Sequence, residues 1–437
     1  MFDLTASPWL PVALLVAVTI VSRLRCCSWF APAAFTGLVW IFFITASLLA
    51  SDYAVPSRGV WMLVILVVAI QSGALLAHEL RSSDEQASLS SRPDVNPLVE
   101  RCQTYSLICT LVALGGCCYF LLMSLEEFNL PFTPIGILEV GARWTLLRYD
   151  DAVEPWSVRL LVTWFHPAAL LGGILFFCGR RRIQRWLAAF TLLPAVLYGM
   201  LTGARAAILI GMTCWISGYM SALVVYTSER LAMFTRARLV ALAALVICVF
   251  GMFVGIDIVR DTGWIHDVMV DVRGQKLSNY MFGSPAAFAT WYGNSEISGP
   301  FWGARTFAGE FDLLHIKART LGTYSEKSNV VGTEDTNVYT IFRSFIEDFG
   351  LFGAVLAVAC IGGASGWIYC VRQLRPLGSI LVLSIFYALV LFSPLYSLFS
   401  FNGPTLAWLV AAVLFSAAKR ASSQTSPFLN LRHAPTP

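Results

Sequence analysis

Charged side chains make up 13% of the 437 residues, against about 25% in soluble domains, while 57% are hydrophobic and the mean hydropathy is +0.70. A water-facing globule of this size needs more polar surface than that, which excludes a soluble enzyme and a free nucleic-acid-binding module. Lysine is nearly missing as well, with 4 residues beside 26 arginines. That bias suits bidentate binding of phosphate or carboxylate, although GC-rich coding produces it too. The net charge of +4 adds little.

Several standard sites are also missing. There is no Gly-rich Walker loop, no H-E-x-x-H and no paired C-x-x-C, so ATP-driven pumping and zinc hydrolysis have no support, and no cofactor or metal is expected. A disulfide framework does not follow from the eleven cysteines either. Seven of them, Cys109, Cys117, Cys118, Cys178, Cys214, Cys248 and Cys360, lie inside apolar runs and read as small core hydrophobes. The first apolar run, residues 6–21, has no basic stretch ahead of it and no A-x-A after it, so it reads as a retained span.

What the chain has in quantity is apolar runs of bilayer length. About 20 residues cross a hydrocarbon core, and on that rule eleven spans are expected, at 5–22, 28–50, 59–77, 103–123, 157–178, 186–201, 206–226, 239–259, 338–371, 376–399 and 405–418. The run at 186–201 is short and contains Pro194. One alternating set of loops carries seventeen Lys and Arg residues and the other, leaving aside the long loop, carries five. The positive-inside rule assigns the seventeen to the cytoplasm, which puts the N-terminus outside, the C-terminus inside and residues 260–337 in the extracytoplasmic space. The chain therefore divides into spans one to eight (1–259), a long outer loop (260–337), spans nine to eleven (338–420) and a polar cytoplasmic tail (421–437). The fold expected is an all-α polytopic membrane protein of about eleven helices, with a partly helical loop before the ninth.

That loop is too long for an idle connection, and its aromatic residues, Trp291, Trp302 and Tyr324 among them, give it enough apolar mass to fold onto the membrane face. Residues 124–156 form a second substantial outer loop. Ionisable groups inside the spans are sparse. His166, about ten residues into its span, is the deep one, and it suits either a satisfied core histidine or a proton relay.

Chemistry is thus expected at the outer face. In Leu201-Thr202-Gly203-Ala204-Arg205 two spans meet at a turn where Gly203 permits tight geometry and the next helix aims its amides outward. Arg205 there suits an anion site, or an interfacial arginine snorkelling to headgroups. Residues 307–321 scan as an amphipathic helix, with Phe307, Phe311, Leu314 and Ala318 on one stripe and Asp312, His315 and Arg319 on the next. The trio could supply a polarised base and an anion clamp, or a solvated helix face. Residues 332–339 enter the ninth span, where Asp335 or Asn337 is well placed as an N-cap and capping alone accounts for one of them. Arg343 and Glu347 follow as an i, i+4 pair, worth a few tenths of a kcal/mol as a plain helix salt bridge. Asp348 lies on another face. Carboxylates and arginines together meet the needs of an acceptor hydroxyl and a diphosphate leaving group.

Three stretches carry a family resemblance: Leu201-Thr202-Gly203-Ala204-Arg205, the aromatic loop with Trp302-Gly303-Ala304, and Thr336-Asn337-Val338-Tyr339-Thr340-Ile341-Phe342-Arg343 leading to Asp348-Phe349-Gly350-Leu351-Phe352-Gly353. Together they resemble the oligosaccharide repeat-unit polymerases, or O-antigen polymerases. The motif-level match covers about 201–207 and 300–353. The resemblance implies a multi-pass glycosyltransferase of the bacterial inner membrane with its site on the periplasmic side. It would join undecaprenyl-diphosphate-linked oligosaccharide units into O-antigen, capsule or exopolysaccharide by inverting, metal-independent transfer. It implies substrate-binding roles for Arg205 and Arg343, then Arg305 and Arg319, with Asn337 and Tyr339 beside them. The base is left open among Asp335, Asp348, Glu310 and His315. Membrane lipid and a polysaccharide chain-length regulator are the expected partners, and no nucleic acid is. A ligase drawing on the same carrier has identical chemical needs and differs only in acceptor. A lipid-linked glycan flippase or other transporter is the alternative from another class.

Overall fold

Where a long apolar run meets lipid, only a helix pairs every backbone amide and carbonyl within the segment. The computed structural model describes residues 7–51, 55–82, 96–149, 154–227, 251, 269–294, 299–317, 324, 326, 328–331 and 334–425. Its first ten helices are α1 (Trp9–Cys26), α2 (Pro32–Ala50), α3 (Ser57–Ser82), α4 (Asn96–Glu127), α5 (Pro134–Tyr149), α6 (Trp156–Val162), α7 (Phe165–Cys178), α8 (Arg182–Phe190), α9 (Leu193–Thr202) and α10 (Arg205–Tyr226). After them come α11 (Met269–Asn294), α12 (Ala308–Leu313), an antiparallel ribbon of β1 (Ser328–Val331) and β2 (Glu334–Thr336), then α13 (Ile341–Cys370), α14 (Pro376–Phe392) and α15 (Asn402–Thr425).

Eight of the described helical stretches are long and apolar enough to cross a membrane, and two shorter apolar ones, Pro376–Phe392 and Asn402–Ala417, accompany them. The chain is a multi-pass helical membrane protein. These ten stretches coincide with ten of the expected spans, and the expected eighth, 239–259, lies outside the described residues, as does most of the expected tail.

The helices are less regular than the hydropathy. The span expected at 157–178 breaks at Thr163 and Trp164 into α6 and α7. His166 stands in the first turn after that break, where its Nδ1 bonds the Thr163 carbonyl at 2.9 Å and its ring stacks on Phe165. The expected second outer loop folds in part as α5, whose Trp144 packs on Phe120 and donates to Ser124 at 2.8 Å. α14 stops at Phe392, short of the expected 399, and residues 393–401 run on without α-helix before α15 begins.

The largest difference concerns the long outer loop. Its helix α11 does not lie on top of the bundle. Ala289 sits against Gly59 at the start of α3, the Ala286 amide donates to Ser47 in α2, and Phe282 meets Phe42 and Phe43 farther along α2. Small residues at 286, 287 and 289 let α11 come in this close, and they are buried with Phe288.

Small residues set the seam between α3 and α13 as well. A Cβ on Gly362 of α13 would lie 2.0 Å from the Ile70 carbonyl of α3, and one on Gly73 would lie 2.0 Å from the carbonyl of Ala359. Both obstacles are backbone, which cannot yield by a rotamer change. Gly362→Leu should therefore force the helices apart and cost about 1–3 kcal/mol or more, read as a lower melting temperature of the purified protein. Gly115→Leu, at a position with open space around it, is the control. Equal melting of the two variants would mean that the seam is loose.

Candidate active site around Arg343

The ninth span was expected to put Arg343 at the outer surface, one turn into a helix. The structure encloses it instead. The Ile341 amide donates to the Ser393 carbonyl just past the end of α14, and Phe342 stacks at 4.6 Å on Trp40 in the middle of α2. The first turn of α13 is thereby held inside the bundle, and Arg343 is 3% exposed.

Burying a guanidinium requires partners for its charge and its donors. Nε donates to Glu347 Oε1 at 2.9 Å and Nη2 to Glu326 Oε2 at 2.8 Å. Three rings box the planar group, with centres 3.8 Å (Tyr324), 4.2 Å (Tyr339) and 4.7 Å (Trp291) from the guanidinium carbon. The Tyr339 hydroxyl donates to the Glu326 carbonyl and bonds Ser328 of β1, while the Tyr324 hydroxyl bonds Ser344 at 3.1 Å. Burial, reinforced by the negative charge of Glu347, holds the Tyr324 hydroxyl well above its ordinary range, so it stays neutral. Asn337 joins the group through its side-chain amide, which donates to the Tyr324 carbonyl.

Two atoms of this network are buried and have no hydrogen-bond partner among the described residues: Arg343 Nη1, a donor, and Glu347 Oε2, an acceptor. The second guanidinium nearby is that of Arg305, whose Nε lies 3.6 Å from Glu347 Oε2 and which stacks over Phe301 and Tyr324. Glu326 is the outlet of the cluster, with its side chain 63% exposed. Among the described residues no three His, Cys, Asp or Glu side chains converge as metal ligands would.

Asp348 has a different task. It is fully buried, and its two oxygens accept the backbone amides of Arg305 at 3.0 Å and Thr306 at 2.6 Å. The carbonyls of Glu347 and Asp348 accept the amides of Phe301 and Trp302. They are free to do so because the helix breaks at Gly350, whose φ of 69° and ψ of 175° a glycine adopts without strain. Asp348 thus fastens the loop that carries Arg305, with a backbone amide on each of its carboxylate oxygens.

The same loop is held from its other side by the unwound segment after α14. Ser397 donates to the Thr306 carbonyl at 2.7 Å, and Thr405 in the first turn of α15 donates to Glu310. Burial raises the Glu310 carboxyl above the usual range, against the hydrogen bond from Thr405. The expected amphipathic helix over 307–321 is corrected to six residues. The His315 amide bonds the Asp312 carbonyl and the Ile316 amide the Phe311 carbonyl, a Schellman ending with His315 in the left-handed region at φ 55°. His315 is exposed, so the Asp312, His315 and Arg319 stripe does not form as drawn, and Arg319 lies outside the described residues.

The Gly203 turn is where the sequence put it, with φ 61°. Arg205 opens α10 and is buried at 8% exposure, and its neighbours Ala204 and Ala207 pack in a separate apolar cluster with Trp144 and Tyr198. At the opposite end of the bundle Arg372, just past α13, donates to the Val224 carbonyl near the end of α10. Traced back from that contact, α10 leads to Arg205 and α13 to the Gly350 break, so both lie toward one end. Asp335 pairs with Asn329 across the ribbon, and its side chain lies outside what is described.

The structure thus gathers Arg343, Arg305, Tyr339 and Asn337, with Asp348 beneath their loop, and sets Glu310, His315 and Arg205 apart from them. Glu326, Tyr324 and Trp291 complete the cluster without having been singled out as site residues. In the sequence Trp291 and Tyr324 read only as aromatic mass, and an exposed glutamate in an aperiodic loop carries no signal of its own. No family profile, curated protein or solved structure matches the chain.

Proposed function

We propose that the chain is a glycosyltransferase of the bacterial inner membrane that polymerises undecaprenyl-diphosphate-linked oligosaccharide units at the periplasmic face. The observation that carries the reading is the Arg343 cluster, where a boxed guanidinium keeps one buried donor unpaired beside a second arginine. A rigid guanidinium with a donor to spare, as Arg343 has in Nη1, is what a departing diphosphate needs as negative charge develops on it. Glu326, the exposed partner of Arg343, is the carboxylate that a diphosphate oxygen would displace at least cost. Arg205, toward the same end of the bundle as the Gly350 break, is the second carrier-binding arginine in this reading. The asymmetry of seventeen to five basic residues supports a periplasmic location. A chain-length regulator is the partner such a polymerase would take.

In the transfer, a hydroxyl of an incoming lipid-linked unit attacks the anomeric carbon of the growing chain, and the bond to the diphosphate breaks with inversion. A ligase would share every step but the acceptor. A transporter gains a specific argument, because buried charges beside interrupted helices at 350 and 393–401 are also how membrane carriers build binding sites.

Deletion of the gene separates the three. A surface polysaccharide ladder collapsed to one repeat supports the polymerase. Carrier-linked polymer accumulating in the periplasm selects the ligase. Loss of every form, with lipid-linked single units held on the cytoplasmic side, selects the transporter.

A further inference from the structure

We infer that Glu347 is the catalytic base, the group that takes the proton of the acceptor hydroxyl; this rests on the glycosyl-transfer reading above. Among the carboxylates of this region with described side chains, the choice follows from which oxygen is left over. Both oxygens of Asp348 are occupied by backbone amides of the loop it holds. Glu310 also keeps a buried oxygen, Oε2, that accepts no hydrogen bond from the described residues, but its other oxygen is on Thr405 in the first turn of α15 and neither guanidinium is beside it. Glu326 has one oxygen on Arg343 and is otherwise in solvent. Glu347 alone combines burial beside both guanidiniums with an oxygen, Oε2, that accepts no hydrogen bond from the described residues.

The two atoms without a hydrogen bond have opposite polarity and belong to the Arg343–Glu347 pair, with Oε2 also 3.6 Å from Arg305 Nε. Arg343 Nη1 can only donate and Glu347 Oε2 can only accept. A ligand that satisfies both must offer an oxyanion and a hydroxyl. A diphosphate leaving group next to an attacking sugar hydroxyl is such a pair. In the step, the hydroxyl oxygen bonds to the anomeric carbon and the carbon–oxygen bond to the diphosphate breaks. The bonding pair leaves on the diphosphate, whose charge Arg343 and Arg305 hold, and the hydroxyl proton moves to Oε2.

The test uses the full-length protein in detergent, with lipid-linked repeat units as substrate and undecaprenyl diphosphate as the binding probe. Glu347→Gln should keep binding of the probe within a few-fold of wild type and lose turnover by about 100-fold or more. Turnover within a few-fold of wild type, or probe binding lost in step with turnover, would overturn the assignment and leave Glu347 as a brace for Arg343. If Glu347→Gln does not fold, Glu347→Asp and its pH–rate profile decide. The groups facing position 347 are Arg343, Arg305 and, through Arg343, Glu326, with Tyr324 neutral beside them, so a displaced acidic limb reports the carboxylate itself. An acidic limb identical to wild type would overturn the proposal. If the wild-type protein joins no lipid-linked units at all, the glycosyl-transfer reading fails first, and that outcome is distinct from an active wild type with an active Glu347→Gln.

Discussion

Arg343→Lys is expected to reduce polymerisation by about 100-fold or more even though the positive charge is kept. A lysine ammonium is a single point of charge. It cannot span from Glu347 at 2.9 Å to Glu326 at 2.8 Å as the planar fork does, and it has no flat face to fill the box of Tyr324, Tyr339 and Trp291. Part of the loss will be structural, about 2 kcal/mol, because hydrogen bonds to charged groups are among the stronger ones. Expression level, melting temperature and ladder length should be read together. A full ladder at equal expression would reduce Arg343 to a buried brace with no part in carrier binding.

Asp348→Asn should lower stability by about 2–3 kcal/mol and remove activity with it. The carboxylate accepts two successive amides, and an asparagine would turn an NH2 toward one of them, setting donor against donor. The loop from 301 to 306 carries Arg305, so its release should also move the second guanidinium away from Glu347. The measurement is thermal unfolding in detergent beside limited proteolysis of the loop. A variant with wild-type melting and no new cleavage would mean that the bonds from the backbone of Glu347 and Asp348 are enough to hold it.

Much of the bundle was legible in the sequence because lipid imposes a coarse rule on a long segment, and the run of apolar residues is the rule's signature. The turn at Gly203 was legible for a local reason, since a glycine between two apolar runs and ahead of a helix has few other uses. The breaks were not. Gly350 sits in an apolar stretch, Phe349-Gly350-Leu351, whose hydropathy is uninterrupted, and its conformation is fixed by residues 301 and 302 far away in the chain. Arg343 looked like a surface arginine with a helix salt bridge because its spacing to Glu347 says nothing of Trp40 or Ser393. The stripe over 307–321 has helical spacing, yet backbone bonds at 315 and 316 end the helix early. Periodicity reports which face is apolar and not where the chain turns.

The loop from 301 to 306 is fastened by residues that leave the ribosome after it. Asp348 follows by more than forty positions, and Ser397 by 91. The Ile341 and Trp40 contacts with Ser393 are likewise closed only once α14 has emerged. During synthesis the aromatic box can form no earlier than its own helix, and the loop over it, held on one side by α13, gains its second fastening at Ser397 only when the last two hydrophobic stretches are inserted. A chain truncated after α13 would thus carry every residue of the cluster and lack the Ser393 and Ser397 contacts that close it from the other side.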